Sequence, residues 1–149
     1  MRRKSIIMTK YESNIKTIFS SEEMVFNLLG DLNNLELINS NPQLQDKVKD
    51  YQFDKDSCSF NVEGMGKIGF RINERIPFSL IKFISESSPI PLTGKVLLSK
   101  ISENETSIQL IFEAKLPAMI KMMLDKKLKV GINTVADALA KSLNENNIG

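Results

Sequence analysis

Histidine and tryptophan are absent from the 149 residues, and cysteine occurs once, at Cys58. Without imidazole the chain lacks the commonest general base and metal ligand, and every Ser-His or Cys-His nucleophilic pair is excluded. A zinc site would rest on one thiol and carboxylates, so no metal and no cofactor are expected. A single cysteine cannot form an internal disulfide, which fits a reducing, cytoplasmic compartment. Long apolar runs are also missing. In Met1-Arg2-Arg3-Lys4-Ser5-Ile6-Ile7-Met8 only three apolar residues follow the basic ones, too few for a signal-peptide core. No window approaches the ~20 apolar residues of a membrane span, so stable membrane insertion is not expected. The formal charge of +2 gives no general case for nucleic acid.

What is present is one domain's worth of patterned sequence, residues 1–149, with 1–7 expected as an extension outside the core and Met8 as an alternative start. Residues 11–19 alternate as a strand. Ser20-Ser21-Glu22-Glu23 is a capping box, with Ser20 as N-cap, for a short helix carrying Met24, Val25, Leu28 and Leu29. Gly30 is expected to end it in the left-handed conformation, and Asp31 to cap a second short helix through Leu32, Leu35 and Ile38. From Val48 to Lys115 the period is two, with breaks at Gly64-Met65-Gly66, Pro77, Ser87-Ser88-Pro89 and Glu103-Asn104-Glu105. Those connections are short enough to join only antiparallel neighbours.

The last stretch, Pro117 to Leu143, is helical in period. Ile120, Leu124, Leu128, Ile132, Val135 and Leu139 share one face, Lys126, Lys129, Asn133 and Asp137 the other, and Pro117 suits the first position. At 1.5 Å per residue it runs about 40 Å, long enough to lie across a curved sheet.

Strand, two short helices, six strands and a long C-terminal helix: this order resembles the START-like, or Bet v 1-like (SRPBCC), helix-grip superfamily. Within it the chain is most similar to small bacterial proteins of the polyketide cyclase/dehydrase type. The resemblance is carried by Tyr11-Glu12-Ser13, Asp46-Lys47-Val48-Lys49-Asp50, Asp56-Ser57-Cys58-Ser59-Phe60 and Val135-Ala136-Asp137-Ala138-Leu139-Ala140-Lys141, over roughly residues 8–143. It implies an α+β fold in which the long helix packs over a curved seven-stranded antiparallel sheet. It also implies a hydrophobic small molecule or lipid held between them, with no shared catalytic signature.

Strand parity turns Phe60, Val62, Phe70, Ile72, Phe83, Val96, Leu98, Leu110 and Phe112 toward the helix. Ile120, Met123, Leu124 and Leu128 would face them, and Gly131 interrupts the same helical face. Either these residues fill a core or they wall a cavity, and both readings fit the periodicity. At Gly131 the helix either closes onto a bulky sheet residue such as Phe70 or Phe112, or leaves room for a ligand. Met119, Met122 and Met123 would suit a pliable opening.

Polar candidates are few. Glu74 continues the parity of Ile68, Phe70 and Ile72, so an inward carboxyl there would serve as acid or base, or hold a polar head group. If Pro77 bends the strand and a bulge reverses parity, Glu74 instead lies in solvent. Cys58 is expected as buried packing. Gly64-Met65-Gly66 lacks the following helix a phosphate cradle needs. Lys121, Lys126, Lys127 and Lys129 form either a solvated face or a membrane-facing one. The leading expectation is a carrier or sensor for a hydrophobic ligand. The alternatives are a cyclase- or hydrolase-like enzyme using Glu74, and an interaction domain or homodimer joined through outward Leu97, Ile101 and Ile111.

Overall fold

The computed structural model describes residues 6–35, 48–62, 66–87 and 91–145. Eight strand segments, β1 (Ile6–Glu12), β2 (Lys16–Ile18), β3 (Val48–Phe53), β4 (Ser57–Val62), β5 (Gly66–Ile76), β6 (Leu80–Ser87), β7 (Leu92–Ser102) and β8 (Glu105–Pro117), form one antiparallel sheet. Its order is β1-β8-β7-β6-β5-β4-β3, with β2 continuing β1 along the same edge of β8. Helix α1 (Glu22–Leu29) and a 3-10 turn (Leu32–Leu35) follow β2, and helix α2 (Ala118–Glu145) closes the chain. This is an α+β helix-grip fold.

The first strand expected over 11–19 is in two pieces. At the break Ser13 donates its N–H to the Leu110 carbonyl, and its hydroxyl takes the Leu110 N–H, both at 2.9 Å. Its own carbonyl accepts from the Gln109 side chain instead. A side chain thus replaces one backbone acceptor, and the ladder resumes at Lys16 against Ile108. The sheet also starts earlier than expected. Ile6 and Ile7 pair with Pro117 and Leu116, so they are strand residues rather than part of an extension.

The N-cap of α1 is Ser21, which accepts from the Met24 N–H, and Ser20 is buried beside it. Val25 and Phe26 are the residues α1 buries most fully. Gly30 has φ −80°, not a left-handed value. Glycine is required there by proximity: a Cβ would stand 2.9 Å from the Phe26 carbonyl oxygen. Asp31 does cap the next turn, accepting from the Asn33 N–H, but that turn ends at Leu35, and Ile38 lies outside the described residues. Pro117 is the last residue of β8 rather than the first of α2, a one-residue difference in where the helix begins.

Helix α2 lies over β1, β2 and β8. Along that edge the helix supplies partners for the strands. Asn14 N–H donates to Asn133 Oδ1 and Phe19 N–H to Asn144 Oδ1, both at 2.8 Å. Asn144 Nδ2 donates to the Thr17 carbonyl, and Lys16 pairs with Asp137 at 2.8 Å. An edge covered in this way offers fewer free backbone groups to another chain. Asn133 and Asp137 therefore dock on the sheet instead of facing only water.

Candidate functional site

The strand register assembles one inward row across five strands: Ile72, Phe83, Gly94, Phe112 and Tyr11, each the direct partner of the next. Gly94 puts no side chain between two phenylalanines, a feature the period-two reading had no reason to mark. Phe83 and Phe112 are half-buried, and so are Phe60 and Phe70, whose rings lie 6.2 Å apart. The neighbouring row, Ile81, Val96 and Leu110, is sealed at 0%, 6% and 9% exposure. Leu98 and Cys58 are also buried. Val62 ends β4 opposite Gly66, with its side chain outside the described residues.

Over this surface α2 is uneven. Ala136, Leu139, Ala140 and Leu143 are buried with Ile81, Val96 and Leu110. Ile120, Leu124, Leu128 and Ile132 are only half-buried. Val135, expected on the inner face, is 39% exposed, because the buried stripe runs through Ala136 instead. Met123 is 69% exposed, so it is not part of the wall, and Met119 and Met122 also project into solvent. At Gly131 an added Cβ would meet nothing within 4 Å. The close approach of the helix backbone to Phe70 or Phe112 is therefore not what keeps glycine there.

The inward row ends on a polar pair. Tyr11, 2% exposed, donates to Asp125 at 2.9 Å, and Asp125 also pairs with Lys121 and Lys129. Burial and that hydrogen bond push the phenol up to about 12. The Tyr11 bond, with help from the Lys129 ammonium, holds the Asp125 carboxyl below its ordinary value. Burial lifts the Cys58 thiol to about 11, so it is protonated and unreactive at neutral pH.

Glu74 is exposed and faces away from the interior. The register slips between Ile72 and Glu74, leaving Asn73 as an extra residue, and Glu74 pairs with outward Lys82 instead of continuing the inward parity. The enzyme reading loses its only acid–base candidate. Arg75 is redirected by the same bulge. Its Nε and Nη2 donate to the Gly30 carbonyl at 3.0 and 2.8 Å, and Nη2 meets Asp56 at 2.6 Å. It ties the end of α1 to the β3–β4 turn, a positive charge at a helix C-terminus. Among the described residues no three Asp, Glu or Cys side chains come together as a metal site.

On the outer face the expected apolar patch does not form. Ile111 is buried at 8%, Leu97 is half-buried, and of the three only Ile101 is exposed, at 52%. An open trough of about 450 Å³ lies there instead, between Met8, Lys82, Thr93, Lys95, Glu113 and Lys115. It is on the opposite side of the sheet from α2.

Comparison with solved structures agrees with this architecture. Norcoclaurine synthase from Thalictrum flavum, solved with dopamine and hydroxybenzaldehyde, superposes with a TM-score of 0.74 at 10% identity, over 97% of this chain and 91% of that one. A START superfamily protein from Mycobacterium smegmatis gives 0.61 at 14% identity, over 93% and 97%. The chain thus has the START/Bet v 1-like fold. At these identities the likeness is one of fold alone. No protein-family model matches the chain, and no curated protein does.

Proposed function

We propose that the protein binds an apolar or lipid-like small molecule between the inner face of the sheet and residues 118–131 of α2, as a cytoplasmic carrier or sensor. The observation that carries this reading is that the apolar side chains packed together at that end of the grip are only half-buried. Half-buried Phe60, Phe70, Phe83 and Phe112 lie beneath half-buried Ile120, Leu124 and Leu128, and Gly131 has open space where a side chain would be. Such a surface holds a ligand by apolar area, about 25 cal/mol for each Å² removed from water. Tyr11 and Asp125 supply one polar contact beside it. No covalent step is assigned, since Cys58 is held protonated.

The test is uptake of N-phenyl-1-naphthylamine, together with native mass spectrometry after gentle purification. Gly131→Leu is expected to fold as stably as the parent, because nothing stands within 4 Å of the new Cβ, and to weaken probe uptake at least severalfold. A stable Gly131→Leu protein with unchanged uptake would overturn this placement of the ligand. A co-purified lipid in the mass spectrum would support it directly.

A further inference from the structure

The outer side of the same half of α2 carries a separate feature. Met119, Met122, Met123 and Val130 are 74%, 84%, 69% and 58% exposed. Four unbranched or β-branched apolar side chains standing in water along three helical turns are not ordinary surface. At 100° per residue Met119, Met123, Lys126 and Val130 fall within about 60° of one another, with Met122 and Lys127 flanking them. Lys126 and Lys127 are exposed and make no ion pair among the described residues. The single carboxylate of this half, Asp125, points elsewhere and is already engaged by Tyr11, Lys121 and Lys129. Residues 118–131 thus hold four lysines against one aspartate, whereas 132–145 hold one lysine against Asp137 and Glu145.

We infer that this stripe is a docking surface for an anionic lipid bilayer. Its composition matches what an interfacial helix needs. Flexible apolar side chains enter the acyl boundary, and adjacent lysines lie at the level of the head groups, where each adds attraction to negative lipid. Self-association through the same face is disfavoured by its symmetry. A two-fold contact would bring both copies of Lys126 and Lys127 into one interface, where this stripe supplies no carboxylate to offset them. A partner protein with an acidic rim is the other possible occupant, but bare methionines beside unpaired lysines ask only for an apolar layer under negative charge, which a bilayer surface provides without a shaped counterpart.

The experiment is density-gradient flotation of the full chain with phosphatidylcholine vesicles and with vesicles containing about one-third phosphatidylglycerol. The protein is expected to float with the anionic vesicles at low salt and to be released at about 0.5 M salt. Lys126→Gln with Lys127→Gln, and separately Met119→Gln with Met122→Gln and Met123→Gln, should each lower the bound fraction about tenfold. Glutamine keeps helix propensity, and circular dichroism checks the fold. Exposed Lys100→Gln with Lys141→Gln serves as the control and should change little. Absence of flotation with anionic vesicles would overturn the inference, as would binding that neither set of substitutions reduces. So would loss, in the methionine variant, of a dimer or of a stoichiometric protein complex that forms without vesicles. Probe uptake by the interior is expected to be unchanged in all these variants, so this surface and the proposed cavity stand or fall separately.

Discussion

Residues 132–145 of α2 are packed against the sheet and tied to its edge, while residues 118–131 of the same helix bury no side chain fully. In the first, Ala136 is 0% exposed, Leu143 5%, Leu139 6% and Ala140 6%, and Asn133, Asp137 and Asn144 each hold β2 or the residues beside it. In the second no side chain is buried, and among the described residues its one direct side-chain tie to the sheet is Tyr11 to Asp125. The difference lies in side-chain size. Alanines at 136 and 140 let the helix backbone come close to the sheet, so Leu139 and Leu143 can fill what remains. Toward the other end Gly131 has open space, and Ile120, Leu124 and Leu128 reach a surface of half-buried rings. One half is packed for stability, and the other is where the proposed ligand would lie.

The sharpest way to break that comparison is to truncate one leucine in each half. Leu139→Ala should cost about 2–5 kcal/mol in urea unfolding, as for a fully buried leucine. Leu124→Ala should cost less than half as much. Equal losses would mean the two halves are packed alike. Next in size is the edge tie. Asn144→Ala removes two hydrogen bonds, to the Phe19 N–H and the Thr17 carbonyl, and should cost about 1–2 kcal/mol. Asn133→Ala removes the bond from Asn14 and a longer, exposed 3.3 Å one to the Lys129 carbonyl within the helix, and should cost about half that, because water can reach the freed groups.

Those asparagines also mark where the sequence stopped being informative. Polar residues that dock on an uncovered strand edge have the same spacing as polar residues that face water, so period 3.6 placed Asn133 and Asp137 on the solvent side. Ala136 and Ala140 contribute little to an apolar stripe judged by large side chains, so the inner face was drawn through Val135 instead. The element order and the inward parity of Phe60, Phe70, Phe83 and Phe112 were legible because every neighbouring residue repeated the same alternation. Glu74 was legible only as two alternatives, of which the bulged, solvent-facing one is found, since one extra residue at Asn73 reverses parity without altering composition, and Asn73-Glu74-Arg75 is polar throughout. Gly94 could have been found: it occupies an inward position in a strand whose other inward residues, Leu92, Val96 and Leu98, are all large.

The tie between Tyr11 and Asp125 gives a comparison in pH. Tyr11→Phe should cost about 1 kcal/mol at neutral pH, the size of one hydrogen bond to a charged acceptor reached by water. The phenol ionises at about 12 in the folded chain against 10 when unfolded, so its contribution is complete below pH 10 and is lost as pH rises from 10 to 12. Cys58 acts in the same direction from pH 9 to about 11. Asp125 runs the other way. Its folded value is lowered, so its contribution is present above its unfolded value and fades as pH falls through the folded one. Chemical unfolding at pH 7 and pH 11 should show Tyr11→Phe losing less stability than the parent on the alkaline side. An identical loss in both proteins would place the alkaline titration elsewhere, with Cys58 the first alternative.

The smallest effect has the opposite sign. Gly131→Ala should stabilise the fold by about 0.5–1 kcal/mol, because alanine restricts the unfolded chain and favours helix, and its Cβ meets nothing within 4 Å. Gly30→Ala supplies the contrast. That glycine also has an ordinary negative φ, but its added Cβ would lie 2.9 Å from the Phe26 carbonyl oxygen, so either the end of α1 or the Arg75 tie has to shift. The same substitution is thus expected to gain stability at one position and lose it at the other, by thermal unfolding of the two variants side by side. If Gly131→Ala were destabilising, the helix would lie closer to the sheet than its open flank indicates, and the space beneath residues 118–131 would be filled by the protein's own side chains.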